Sequence, residues 1–183
     1  MKWLIASDLH GSAYWTARLL DAFHTEGAHR LLLLGDLLYH GPRNDLPRDY
    51  APKQVIAMLN PLAPQILCVR CEAEVDQMVL DFPVLADYAL LPEGERLIFA
   101  THGHRFHMDH PPKLQPGDIL LHGHTHVPAC VEGPVFTYLN PGSVSIPKES
   151  SPHSILLLED GRFQWKDLED GHVFQTWSMS AVR

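Results

Sequence analysis

The sequence predicts an α/β fold in which two mixed sheets pack face to face, flanked by helices. Three observations carry that expectation. The chain opens strand–helix–strand, which favours parallel pairing with the crossover on one face. After Phe82 the texture changes to short apolar runs punctuated by Pro-Glu-Gly, Pro-Gly, Glu-Gly-Pro and Glu-Asp-Gly turns, so hairpins should dominate the second half. Several of the strands end in a polar cluster, the place where ligands collect in α/β sheets.

Taken in order, Lys2–Ala6 reads as a short buried strand stopped by Ser7-Asp8-Leu9-His10-Gly11-Ser12. Ser12 can cap a helix running to about Glu26, with Trp15, Leu19, Leu20 and Phe23 as its apolar stripe and Gly27 as its stop. Arg30–Leu34 is a second buried strand, cut off by Gly35-Asp36. A polar, Pro-rich loop follows from Tyr39 to Pro52, then a short helix over Lys53–Leu59 that ends at Asn60-Pro61. Gln65–Val69 makes the third strand, and Glu72–Leu80 a helical turn or two. Eight short strands are expected beyond Phe82: 88–91, 97–101, 119–122, 128–131, 135–139, 155–158, 163–168 and 173–177.

Length and composition set the outer bounds. The 183 residues suit a single domain spanning 1–183, and no apolar run approaches the roughly 20 residues needed to cross a bilayer. The start reaches the charged Asp8 too soon for a secretion signal, so a cytoplasmic location is expected and no membrane partner. Cys68, Cys71 and Cys130 are an odd number without zinc-type spacing, which fits free thiols in a reducing compartment. A net charge of −8 argues against a nucleic-acid surface. A homo-oligomer is left open.

The chemistry-bearing residues sit at the ends of strands. Gly123-His124-Thr125-His126 follows the apolar run Ile119-Leu120-Leu121, and in extended backbone residues two apart point the same way, so both imidazoles could reach one point. Gly123 has no side chain to obstruct a close approach. Asp8-x-His10 follows the first strand, Gly35-Asp36 the second and His102-Gly103-His104 the strand ending at Thr101. Two Asp and four His exceed what one tetrahedral zinc requires, and carboxylate with imidazole suits manganese, iron or zinc in a two-metal site. A pair of divalent ions activates water and neutralises phosphate oxygens during in-line attack. One carboxylate must bridge them, and Asp36, in a tight Gly-Asp turn, is the candidate.

These motifs, in this order, resemble those of the calcineurin-like metallophosphoesterase superfamily. SDLHGS at 7–12, LGD at 34–36, HGPRN at 40–44, EVDQM at 74–78, THGH at 101–104 and NPGSVSIPK at 140–148 are similar to its bacterial YfcE-type phosphodiesterases. The resemblance implies a four-layer α-β-β-α sandwich, a small-molecule phosphate ester as substrate, and in-line attack by a metal-bridging hydroxide at a dinuclear centre. It makes Asp8, His10, Asp36 and His126 ligands of one ion, and Asp36, His102 and His124 ligands of the other. Manganese is the expected metal, with zinc, iron or nickel as alternatives. His104, His107, His110 and His122 match no ligand position. His40, Arg43 and Asn44, with Asn140 and Ser143, lie in loops that could meet the phosphate, Arg43 as the anion clamp.

In one place the sequence departs from the pattern. The family carries Gly-Asn after its third strand, the Asn oxygen ligating the second ion, whereas here Arg70 runs straight into Cys71 and Glu72. Cys71 or Glu72 could fill the gap, and both are candidate catalytic residues. Two accounts stay open: a native loop shorter by two residues, or a sequence from which two were lost. Two function classes follow as well. One is a phosphoric ester hydrolase impaired at its second metal. The other is a degenerate phosphoesterase fold serving as a protein-interaction module.

Overall fold

The computed structural model describes residues 1–41, 43–71 and 79–179. Among them lie eleven strands and two helices: β1 (Trp3–Ala6), α1 (Ala13–Thr25), β2 (Arg30–Leu33), α2 (Pro52–Leu59), β3 (Ile66–Cys68), β4 (Tyr88–Glu93), β5 (Arg96–Thr101), β6 (Ile119–His122), β7 (Ala129–Glu132), β8 (Thr137–Asn140), β9 (Ser154–Glu159), β10 (Arg162–Asp167) and β11 (Val173–Ser178). A 3-10 turn over Asn60–Gln65 links α2 to β3. Each expected strand is present. The helical turn expected at 72–80 falls almost wholly outside the described residues.

The strands form two mixed sheets. The first runs β11-β10-β9-β1-β2-β3 and the second β4-β5-β6-β8-β7. β1, β2 and β3 are parallel, as the strand–helix–strand opening predicts, while β9 is antiparallel to β1. Hairpins join β4 to β5, β7 to β8, β9 to β10 and β10 to β11. Hairpins do not account for the whole second half, because β6 lies parallel to both β5 and β8. A parallel pair needs a long return, and residues 102–118 provide it between β5 and β6.

Alternation along the central strands divides the core into layers. Leu4, Ala6, Leu31 and Leu33 face Trp15, Leu19 and Phe23 of α1 and Val55 and Leu59 of α2. Ile5, Leu32 and Leu34 point the other way, into an inter-sheet layer with Ile98, Ala100, Ile119, Leu121, Leu139 and Trp165. Burial on both faces explains why β1 and β2 are continuous apolar runs. On the outer face of the second sheet, Phe99, Leu120 and Tyr138 pack under Phe106, Leu114 and Phe136, so among the described residues loop, and no helix, forms that layer. Trp165 ties the sheets together by donating its Nε1–H to the Asn140 carbonyl at 2.6 Å.

Ser12 caps α1 as expected, its hydroxyl oxygen accepting from the Trp15 N–H at 3.2 Å. The same hydroxyl donates to the Arg48 carbonyl at 2.6 Å, fastening the 39–51 loop beside the end of β1. No helix among the described residues is long and apolar enough to cross a membrane.

Candidate metal centre

The site is built where β1, β2, β5 and β6 stop. Beyond the last strand residues the β1 and β2 loops remain paired: Asp8 N–H donates to Gly35 O at 3.2 Å, His10 N–H to Asp36 O at 2.8 Å and Gly11 N–H to Leu37 O at 2.8 Å. Within these turns Asp8, His10, Asp36, His124 and His126 all adopt left-handed backbone, with φ of 60°, 46°, 51°, 66° and 64°. Non-glycine residues seldom take up this region, and clusters of them mark places where a side chain is aimed at a cost in backbone energy. Gly123 does not adopt that conformation, but a Cβ there would stand 1.9 Å from Ser7 Oγ and 2.8 Å from Asp8 Oδ2. The close approach expected of Gly123 is therefore present.

Two groups of donor atoms result, each mutually within 4.8 Å: Asp8, His10, Asp36 and His126 in one, and Asp36, His102 and His124 in the other. Asp36 belongs to both. The expectation that His124 and His126 meet at one point by strand alternation is corrected here. The left-handed backbone at both residues breaks the alternation and sends His124 to the second group and His126 to the first.

The imidazoles are held so that one nitrogen of each faces inward. His10 Nδ1 lies 2.7 Å from Tyr39 O, His126 Nδ1 2.8 Å from Ile146 O, and His102 Nδ1 2.7 Å from Leu34 O. A carbonyl oxygen only accepts, so these Nδ1 atoms carry protons and Nε2 is the inward donor atom. His10 Nε2 and His126 Nε2 then stand 3.3 Å apart, and His102 Nε2 stands 3.1 Å from His124 Nδ1. Asp8 Oδ1, fully buried, has no hydrogen-bond partner and lies 3.4 Å from His126 Nε2 and 3.7 Å from His10 Nε2. An orphaned carboxylate oxygen facing imidazole nitrogens is the environment a divalent cation satisfies.

The electrostatics follow from burial and shared charge. Burial pushes the Asp8 carboxyl above its ordinary value, against the opposing charge of His102 and with the help of Asp36. Burial also acts to raise Asp36, but the hydrogen bond and charge of His102, the charge of His10 and a hydrogen bond from the Cys71 thiol outweigh it and hold that carboxyl well below the usual range. Burial pushes His10 down, and His126 down to about 4, so both are neutral imidazoles at physiological pH. For His102 the pairing with Asp36 and the charge of Asp8 overcome burial and raise it.

The other candidates fall in distinct places. Cys71 is buried and its thiol bonds Asp36, while its neighbour Arg70 is anchored through Nε to Asp87 Oδ1 at 2.5 Å. Glu72 lies outside the described residues. His40, exposed Arg43 and Asn44 sit on the loop that begins at Tyr39, the partner of His10, with Asn44 Nδ2 donating to His40 O at 3.0 Å. Ser143 and Asn140 are corrected: both are fully buried and spend their polar atoms inside the protein. Ser143 Oγ donates to Asp8 O at 3.0 Å, and Asn140 Nδ2 reaches Gly123 O, Thr125 Oγ1 and the Tyr138 hydroxyl at 2.8–3.0 Å. They brace the ligand loops from inside the protein.

Sequence reasoning missed Ser145, whose hydroxyl also donates to Asp8 O at 2.9 Å. It missed the three carbonyls that orient the histidines as well. Main-chain acceptors have no residue signature, but Ser145 stands in the same Gly-Ser-Val-Ser run that drew attention to Ser143.

Comparison with known proteins places the fold. The phosphodiesterase YfcE of Escherichia coli K12 is 44% identical over 162 residues, spanning 87% of this chain and 88% of that protein. The solved structure of YfcE, described as a phosphoesterase from E. coli, superposes with a TM-score of 0.94 at 41% identity, covering 98% of this chain and all of the other. Vps29 of Entamoeba histolytica, solved in complex with Zn2+, shares the fold at a TM-score of 0.62 and 21% identity over 98% of this chain. The family model for the calcineurin-like phosphoesterase superfamily domain matches residues 1–160, and the chain belongs to that superfamily.

Proposed function

We propose that the protein is a metal-dependent phosphodiesterase acting on a small-molecule phosphate ester. The observation that carries this reading is the position of Asp36 between two groups of inward-facing nitrogen and oxygen donors. Asp8, His10, Asp36 and His126 would hold one divalent cation, and Asp36, His102 and His124 a second. The donor set of carboxylate and imidazole fits manganese first, with zinc, iron and nickel as the alternatives. When bound, such a pair supplies countercharge to the phosphate oxygens and a water of lowered pKa for in-line attack.

The chain's own residues set the conditions for that chemistry. Tyr39, Leu34 and Ile146 keep His10, His102 and His126 in the tautomer that presents Nε2. Ser143 and Ser145 fix the Asp8 backbone in its left-handed turn. The Cys71 thiol, donating to Asp36, helps keep that carboxylate charged. Arg43, exposed on the loop tied to His10 through Tyr39, would clamp the anionic ester. The single domain would act in the cytoplasm, where Cys68, Cys71 and Cys130 would stay reduced thiols outside any disulfide.

The diester preference follows the name of the E. coli relative. Turnover of bis(4-nitrophenyl) phosphate by protein stripped of metal and reloaded with manganese tests the proposal. Activity should depend on the ion and disappear with bound metal in Asp36→Ala. Metal uptake without turnover of any phosphate ester would instead favour the interaction-module reading.

A further inference from the structure

A pocket of about 380 Å3 opens directly beside the second donor group, sharing His124 with it. Its walls include His107, Met108, His122, Thr125 and Tyr138. The His122 and Tyr138 rings are stacked, with centroids 4.4 Å apart and planes 29° from parallel. The rim is a tight turn closed by backbone bonds from His107 N–H to His110 O at 3.3 Å and back from His110 N–H to His107 O at 3.0 Å. That turn carries Met108 at its tip, 43% exposed, a large apolar side chain for which core packing supplies no reason.

The chemistry of this lining is selective. Among the described residues no Lys or Arg lines it, and Asp109 does, so a second phosphate would find repulsion there and no clamp. Flat rings and a thioether offer dispersion contact to another flat ring. His122 is buried, gives its Nδ1 proton to Gly123 O at 3.0 Å, and leaves Nε2 without a hydrogen-bond partner. Because His124 belongs both to the donor group and to the pocket, an ester phosphate held by that group has this hollow as its neighbour.

Resting on the phosphoesterase reading, we propose that this pocket receives the organic group of the substrate, and that the group is a planar ring. A phosphate bearing only a small alkyl group, or a polyphosphate, leaves it unfilled. Met108, exposed at the rim, is the side chain that covers the ring.

The test uses manganese-loaded protein and two non-hydrolysable probes, phenylphosphonate and methylphosphonate, compared by calorimetric titration. Phenylphosphonate should bind about tenfold more tightly, as expected for burying a large part of one ring. Met108→Trp, which fills the pocket from its rim, should cut that ratio to about threefold or less. In protein carrying 13C-methyl methionine, the Met108 methyl signal should shift upfield with phenylphosphonate and stay in place with methylphosphonate. Equal affinities for the two probes, or a ratio that survives Met108→Trp with no movement of the methyl signal, overturn the pocket assignment alone. Failure of both probes to bind, together with no turnover of any ester, overturns the phosphoesterase reading and the pocket with it.

Discussion

His10 Nε2 and His126 Nε2 face each other across 3.3 Å, while the Nδ1 of each ring points at a backbone carbonyl. Two lone pairs at this distance repel unless a cation or a proton stands with them, and burial disfavours the proton on both rings. Divalent metal should therefore stabilise the fold. At a free concentration of about 100 Kd the gain is about 2.7 kcal/mol. Urea unfolding with manganese and with chelator should show it, His126→Gln should lose most of it, and exposed His24→Ala should keep it. An equal gain in His126→Gln would remove His126 from the ligand set.

Adding a methyl group at Gly123 should be costly. The new Cβ would overlap Ser7 Oγ and press on Asp8 Oδ2, and all three lie in loops whose backbones are already cross-bonded. Gly123→Ala should lower unfolding free energy by about 1–3 kcal/mol, the usual cost of forcing volume into a packed site. Manganese affinity should fall as well. A variant as stable as the parent would show that the loop shifts freely.

Glu26 offers a pH test remote from the metal centre. Burial acts to raise its carboxyl, but hydrogen bonds from Lys166 and Lys2 outweigh that and hold it below its model-compound value of 4.5. Lys2 Nζ lies 3.1 Å from Glu26 Oε2, and Lys166 contacts the other oxygen. A depressed folded-state pKa gives stability that is present above the unfolded value and lost as pH falls through the folded one. The parent should exceed Glu26→Gln by about 1 kcal/mol at pH 7, given partial exposure. The difference should hold down to about pH 5 and shrink below pH 4.5. A difference that grew on acidification would contradict the assignment.

The link after Arg70 decides the strength of the second site. Among the described residues that group has three protein donors, Asp36, His102 and His124, against four in the first. Arg70 is pinned by Asp87 and by its own N–H to Ala86 O at 2.8 Å. Inserting Gly-Asn between Arg70 and Cys71 should raise affinity for the second ion and diester turnover together. Side-by-side manganese titrations of stoichiometry and rate check this, and unchanged values would mean that the vacancy is already filled.

Much of the fold could be read in advance because its signals are local. Continuous apolar runs such as Leu31-Leu32-Leu33-Leu34 mark strands buried on both faces, and Ser12 with Gly27 brackets α1. The parallel placement of β6 between β5 and β8 could not be read, since it depends on a long return that carries no periodicity of its own. At the site, donor types at the strand ends, narrowed by the family resemblance that sets His104 aside, pointed to the six metal candidates that the structure brings together. Their division between two groups came from the family resemblance, which sets His126 with the first ion and His124 with the second, as the structure groups them. Residue identity alone did not give it: extended geometry assigns both to one point, whereas left-handed φ values divide them. Ser143 and Asn140 misled for a related reason: a polar residue in a turn reads the same whether it faces solvent or braces a neighbouring loop from inside.

The left-handed conformation at Asp8, His10, Asp36, His124 and His126 has a consequence for anyone engineering this protein. Glycine at any of these five positions would relax the chain by on the order of 1 kcal/mol while deleting a donor. Without metal, heat resistance and metal retention thus pull the same codons in opposite directions. A library sorted on melting temperature in chelator should drift toward glycine there and return robust, metal-poor folds, whereas sorting in the presence of the ion keeps the donors.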